Sequence, residues 1–438
     1  MITAAPLVAA LAVPALTAQQ TPVPVRAVTA PQAATTEPLR FPGVMLELSG
    51  GQLLVDLPGQ RRLLIFDSTL SHVRVAADTQ GSATPYPLGA KYVRYLGDSI
   101  LVVDGTTRSL VMMDPSGNFG RVMAAPKPQD IDYLLNTGLV GADARGRLVY
   151  QGPPPYRPTF CRVVDGKPLR PDTKSPPDSI ALIRADFETR SADTIARVKV
   201  TVRGFNLATV TDDNYRLLSA SVHVDPSLPI TDAWTMTSTG AIAIVRGHDY
   251  HVDWIDVDGS RSTPKLPFDW RRVTDDEKQA KIDSARRIVD SVTALGGYQL
   301  QMCGTGASFS ASPPKVSGTD ASGGRAGGGD PGAGPAACQH ATASVVYPTI
   351  GEMADYIPPI RESSVRADRD GNIWILPTTS KGAAAGLLYD IVNGKGELVE
   401  RVQLPPQRDI AGFGKGGVLY LSHRDAGWTV IERVRIAR

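Results

Sequence analysis

Few residues stand at spacings that could do chemistry. His248 and His251 are the only close pair among six histidines. An offset of three along a strand turns them to opposite faces, so they cannot share a metal ion. His251 and Asp253 do share a face, and read as a polar pair satisfying itself inside the fold. Asp368-x-Asp370-Gly371-Asn372 echoes a calcium loop. It lacks the five ligand positions and the closing bidentate Glu, so a strand-connecting turn accounts for it. Asp253, Asp256 and Asp258 before Gly259 fail the same spacing test. Cys338 with His340 is too sparse for zinc. No G-x-S-x-G elbow occurs, and the glycines at 327–329 follow no strand, so neither an activated serine nor a phosphate cradle is indicated. Trp254 and Trp374 occupy strand positions, where packing is the expected role. These motifs predict no cofactor.

The elements that would carry any site follow from an internal repeat. A glycine-ended turn followed by an apolar strand recurs at Gly51, Gly97, Gly146, Gly240, Gly371 and Gly417, at intervals of 46, 49, 94, 131 and 46. A second landmark keeps step with it: an apolar strand running into Asp at Asp67, Asp114, Asp186, Asp256 and Asp390. Asp suits that place because its carboxylate caps the next backbone N–H groups. A fourth strand follows, as at 72–76, 121–124, 194–200 and 398–404. Four short strands in each of six units predict an all-β, six-bladed β-propeller over 19–438. The last unit stops one strand short at Arg438, while 23–30 alternates like an unpaired strand. An N-terminal strand closing the last blade would satisfy both edges.

An insertion over 272–360 separates the fourth and fifth units. Thr274-Asp275-Asp276-Glu277 is a capping box, and Ile282, Ala285, Ile288, Val289 and Val292 follow at helical spacing, which predicts a helix over 275–293. The Gly/Ser-rich stretch 304–337 is too poor in apolar residues to offset its ordering entropy and is predicted disordered. Cys303 and Cys338 flank it and could form a disulfide in an oxidising compartment; Cys161 could pair with either.

Residues 3–18 carry no charge and are rich in Ala, Leu and Val, and small residues precede Gln19. This pattern predicts a signal peptide over 1–18 and a secreted or periplasmic protein. No run reaches the ~18 apolar residues of a transmembrane anchor. Over 438 residues, 46 Lys+Arg stand against 44 Asp+Glu, for a net charge of +2. That balance argues against a nucleic-acid binder.

The run Asp368-Arg369-Asp370-Gly371-Asn372-Ile373-Trp374, with Tyr389-Asp390, Gly396-Glu397-Leu398 and Leu404-Pro405, resembles blade signatures of exported bacterial six-bladed propellers, the TolB-like and NHL-repeat groups. The resemblance implies the fold. Members of such groups variously bind proteins, bind small ligands, or hydrolyse lactones with a channel metal, and none of these activities transfers without matching site residues.

In a propeller the innermost strands line the axis. They are expected at 44–48, 92–95, 139–143, 233–236, 364–367 and 410–413. Arg94, Asp143, Asp232, Arg361 and Arg366 are their candidate ligand-binding side chains, with Tyr356 and Trp270 at a rim beside the insertion. The expected function is a monomeric binding or protein-interaction module for an unidentified protein, peptide or small molecule. The alternative is a lactonase-like hydrolase using one divalent ion, such as calcium or zinc, held by axial Asp, Glu and Asn side chains.

Overall fold

Each repeat folds as a small antiparallel sheet, and six such sheets stand around one axis. The computed structural model describes residues 23–437 except 80–84, 88, 137–139, 153–159, 165–166, 170–178, 201–205, 212–216, 225–228, 295–296, 304–305, 311–338 and 381–385. The signal peptide expected over 1–18, residues 304–305 and 311–337 of the stretch predicted disordered, and Cys338 lie outside the described residues, whereas 306–310 of that stretch forms a strand paired with Tyr298–Cys303.

From the axis outward, blade 1 runs Met45–Glu47, Leu53–Leu57, Arg62–Phe66 and Val73–Ala77. Blade 2 runs Lys91–Arg94, Ile100–Asp104, Ser109–Met113 and Phe119–Met123. Blade 3 is Val140–Ala142, Leu148–Gln151, Ser179–Ala185 and Ala192–Lys199. Blade 4 is Ala233–Met236, Ile242–Arg246, His251–Ile255 and Ser260–Ser262. Blade 5 comprises Val365–Ala367, Ile373–Ile375, Leu388–Val392 and Leu398–Gln403. Blade 6 has Asp409–Phe413, Val418–Asp425 and Trp428–Arg435 of its own. All six innermost strands fall where the repeat predicts them.

The N-terminal segment closes the ring in two steps. Ala33–Ala34 pairs antiparallel with Trp428–Arg435 as the outermost strand of blade 6, flanked by single bridges at Val28↔Ile436 and Leu39↔Thr429. Ahead of it, Val25–Ala27 lies parallel to Leu398–Gln403 and extends blade 5. The predicted strand over 23–30 therefore serves mainly blade 5, and residues further along complete blade 6. Apolar faces of neighbouring blades meet in six buried cores, one between each adjacent pair. Trp254 and Trp374 are buried in them, as their strand positions implied.

Asp67, Asp114, Asp186 and Asp256 cap turns through backbone N–H groups, as expected of the second landmark. Asp390 does not. It lies mid-strand and buried, accepting from the Tyr250 hydroxyl at 2.8 Å and from Arg401 Nε at 2.8 Å. Asn393 caps that blade's turn instead.

The insertion helix spans Asp275–Ala294, and the Thr274–Glu277 capping box forms. Ile282 and Val289 are buried, but Ile288 is exposed, so the apolar stripe is narrower than its spacing suggested. The buried face also holds Lys278, whose ammonium meets Asp355 at 2.7 Å. A seven-stranded side sheet is the element that the repeat did not announce. It gathers Phe160–Val164, Lys167–Leu169, Asn206–Thr211, Leu217–His223, Tyr298–Cys303, Gly306–Ser310 and Gln339–Val346. Between Tyr298–Cys303 and Gln339–Val346 the last registered pair beside the glycine-rich stretch is Met302↔Gln339.

Candidate functional site

Every innermost strand hands over to its neighbour through the same four-residue turn. The backbone N–H of Leu48, Tyr95, Asp143, Thr237, Asp368 and Gly414 donates to the carbonyl four residues on, at 2.7–3.0 Å in all six blades. The last residue of each turn sits in the left-handed region. Five blades place glycine there: Gly51, Gly146, Gly240, Gly371 and Gly417. Blade 2 places Asp98, at φ 62°. Holding a side chain in that region costs about 1 kcal/mol, although Asp tolerates it better than most residues. The repeat keyed to Gly97 is thus one residue out of phase in this blade.

The turns of blades 2, 3, 4 and 5 rim a cavity of 790 Å³ at one end of the axis, and the innermost strands of blades 1 and 6 complete its wall. The Asp98 carboxylate engages two cations there. Arg369 Nη2 lies 2.5 Å from Oδ1, and Lys415 Nζ lies 2.7 Å from Oδ2. The Lys415 hydrogen bond, helped by the Arg369 charge, holds the carboxyl of Asp98 below its ordinary range. Arg94 Nη2 and Arg369 Nη1 both donate to the carbonyl of Glu47, at 2.8 and 3.0 Å. Two guanidinium groups therefore meet at one oxygen. Burial, reinforced by the repulsion of Arg369, pushes Arg94 down to about 10. Arg369 is largely buried, and its Nε has no hydrogen-bond partner.

Glu47 anchors the cluster from below. Its carboxylate accepts from the Lys415 backbone N–H at 2.9 Å and from the Tyr420 hydroxyl at 2.9 Å. Asp370 accepts from the N–H groups of Gly416 and Gly417. With those carboxylates committed, Arg369 and Lys415 share Asp98 as their carboxylate partner at the mouth, while Arg94 donates to the Glu47 carbonyl.

The expected ligand-binding residues divide. Arg94 and Arg366 line the axial cavity, and Arg366 also donates to the Ile410 carbonyl across to blade 6. Asp143 lines it too, but its carboxylate caps its own turn, accepting from the Arg145 and Arg147 N–H groups and pairing with the Arg147 guanidinium at 2.6 Å. Asp232 is not in the wall. It lies buried at the other end of blade 4, taken up by the N–H groups of Lys199 and Gly247 and by Arg246. Tyr356 and Arg361 also lie outside it: Tyr356 is bridged by backbone to Arg272, and both side chains are exposed on the segment leading into blade 5. Trp270 stacks edge-on against Phe268 beside them. His251 is held by Asp249 at 2.6 Å and Asp253 at 3.2 Å, a polar set closed within blade 4. Arg369, Lys415, Asp98 and Glu47 escaped the sequence reading. The six turns aligned on their last residue would have exposed the first three.

The donor set does not suit a catalytic metal. No group of three or more His, Cys, Asp or Glu side chains among the described residues is arranged to hold one. The acids nearest the mouth, Glu47, Asp143, Asp368 and Asp370, accept from turn N–H groups.

No protein-family profile matches the chain, and no curated protein sequence resembles it. Solved propellers do match its course. An exported protein from Bacteroides fragilis, described as putative, is 8% identical, with 94% of each chain covered and a TM-score of 0.38. A gluconolactonase from Xanthomonas campestris is 10% identical over 91% of this chain and 87% of its own, with a TM-score of 0.35. A catalytically inactive virginiamycin B lyase from Staphylococcus aureus is 8% identical over 92% and 99%, with a TM-score of 0.34. At these values the likenesses carry no argument about activity. By its own strand order the chain is a six-bladed β-propeller.

Proposed function

We propose that this propeller is a binding module whose axial mouth recognises a small molecule through a carboxylate or phosphate group. The observation that supports it is the convergence of Arg94 and Arg369 on a cavity of ligand size, neutralised at the mouth by one strained residue, Asp98, which Lys415 also holds from outside the wall. Guanidinium groups suit this task because their planar N–H donors match the oxygens of an oxyanion in pairs. An incoming anion would exchange with Asp98 at Arg369 and relieve the repulsion between the two arginines.

Calorimetric titration with citrate and with inorganic phosphate at low ionic strength tests this reading. Binding that weakens with salt, and falls at least tenfold in Arg369→Gln with folding retained, is the expected result. Titrations silent for both anions would overturn it.

Export belongs to the same proposal, as does kinship with the TolB-like and NHL-repeat propellers. The uncharged apolar stretch over 3–18 supports export, and no helix among the described residues is long and apolar enough to cross a membrane. Mass spectrometry of the mature N-terminus checks it: a chain starting near Gln19 is expected, and an intact Met1 in the cytoplasmic fraction would refute it.

A further inference from the structure

At the opposite end of the axis, where the innermost strands begin, lies a second cavity of 1010 Å³. It is formed by the segment leading into blade 1, by Met45 of that blade, and by blades 5 and 6. Its charged members are Arg366, Arg408, Arg424 and Asp409, with His423 beside them. Arg408 is committed, gripping Glu432 through two bonds of 2.8 and 3.1 Å. Arg424 and Arg366 have no carboxylate partner among the described residues. Arg424 lies 4.8 Å from the centre of the Phe41 ring and donates to the Gly427 carbonyl. Arg366 donates only to the Ile410 carbonyl.

His423 is mostly buried and makes no hydrogen bond. Its Nδ1 stands 3.6 Å from Glu432, whose oxygens Arg408 already holds, and counts as buried without a partner. A buried polar atom left unpaired is a cost that native structures seldom carry without a reason. Around this polar group the wall is apolar, with Phe41, Pro42, Met45, Leu387 and Ile410. Phe41 is 58% exposed although it is a large aromatic, and it is held at φ 50°.

We infer that this second cavity is a separate binding site for a carboxylate carried on an apolar or planar body, with Arg366, Arg424 and His423 receiving the oxygens and Phe41 with Leu387 receiving the body. A few convergent polar groups in an apolar concavity is the usual composition of a small-molecule pocket. Guanidinium planes that already stack on Phe41 can also stack on a ligand ring. The site rests on different residues from the proposed mouth, except Arg366, which lines both cavities together with Met45 and Ala411.

Benzoate and acetate, titrated by calorimetry into the full-length protein, test the inference, with Arg424→Gln and His423→Gln as variants and thermal melts as the folding control. Benzoate is expected to bind at least fivefold tighter than acetate, and each variant is expected to weaken benzoate at least fivefold. Arg369→Gln should leave that event in place. Equal affinities for the two acids, or benzoate binding unchanged in both variants, would overturn the inference. If Arg369→Gln abolishes all benzoate binding while the other two variants keep it, the second site falls and the mouth stands. The reverse pattern is the one the second site requires, and it leaves the mouth to its own citrate and phosphate titrations.

Discussion

The two halves of the axial mouth hold together by different means. Blades 5, 6, 1 and 2 join their turns through charge that crosses from blade to blade: Arg369 to Asp98, Lys415 to Asp98, Arg94 and Arg369 to Glu47, and Asp370 to Gly416. At the mouth, blades 3 and 4 keep their charged groups at home, and a neutral bond from the Tyr95 hydroxyl to the Gly146 carbonyl is what reaches blade 3 from blade 2. Asp143 pairs with Arg147 in its own turn, and Thr237 bonds Thr239 and Ala241 in its own. Between these two blades the backbone closes in, so that a Cβ on Gly240 would stand 2.3 Å from the Ala144 nitrogen. Close packing cannot change partners without moving main chain. Ionic ties can, and this is why the recognition chemistry is assigned to the first half.

The largest effect that separates the halves is expected at Glu47. Glu47→Ala removes a buried carboxylate that two blades share and leaves the Lys415 N–H and the Tyr420 hydroxyl without their acceptor. It should cost about 4 kcal/mol of stability. Asp143→Ala, a local cap, should cost about 1 kcal/mol. Urea unfolding of both variants makes the comparison, and equal losses would break it.

Next in size is the pH dependence of Asp56, a carboxyl of blade 1 that accepts at 2.7 Å from Tyr86 in the segment leading to blade 2. Burial raises it from 3.8 to about 6. The folded state therefore retains a proton that the unfolded chain has released, and stability falls as pH rises from about 4 to about 6, by up to about 3 kcal/mol, then levels. Asp56→Asn keeps an acceptor for Tyr86 and should remove that slope when urea midpoints are compared with wild type between pH 4 and 7. Parallel profiles for the two proteins would contradict the assignment. Asp98 has the opposite sign, because Lys415 lowers it; its contribution is present above the ordinary carboxylate range and is lost on acidification.

The smallest effect on stability should come from Asp98→Gly, which gives blade 2 the residue of the other five turns. Relief of backbone strain offsets the lost ion pairs, so stability should move by less than about 1 kcal/mol. Phosphate affinity should nevertheless rise several-fold, since the internal counter-ion is gone. Weaker binding would make Asp98 a ligand contact instead.

What was legible in the sequence follows from what each feature depends on. The innermost strands and the capped helix are local: a turn glycine and an apolar run suffice for the former, and Thr274 with Glu277 for the latter. The cation cluster is not local. Arg369 and Lys415 occupy equivalent positions in two turns 46 residues apart, and only their shared partner in blade 2 gives them meaning. Asp98 was hidden because Gly97 beside it satisfied the glycine pattern one position early. Asp232 carried a plausible charge at the start of an axial strand, but its carboxylate is turned to Lys199, Gly247 and Arg246. The side sheet recruits segments from three separate insertions, and no single one of them repeats.

The closure of the ring also sets an order of events during synthesis. The Ile431 N–H donates to the Thr35 hydroxyl across a separation of 396 residues, and Ala33 pairs with Arg433. A chain growing from the ribosome holds the early partner long before the late one exists, and until then blade 6 cannot form and blades 1 and 5 have bare flanks. Contacts of such span are slow to form, and the edges that await them invite pairing with other chains. The completed propeller is thus a product of the whole polypeptide, and a holdase that masks the strands of blade 1 until residue 435 has emerged should raise its folding yield more than one that acts on the finished chain.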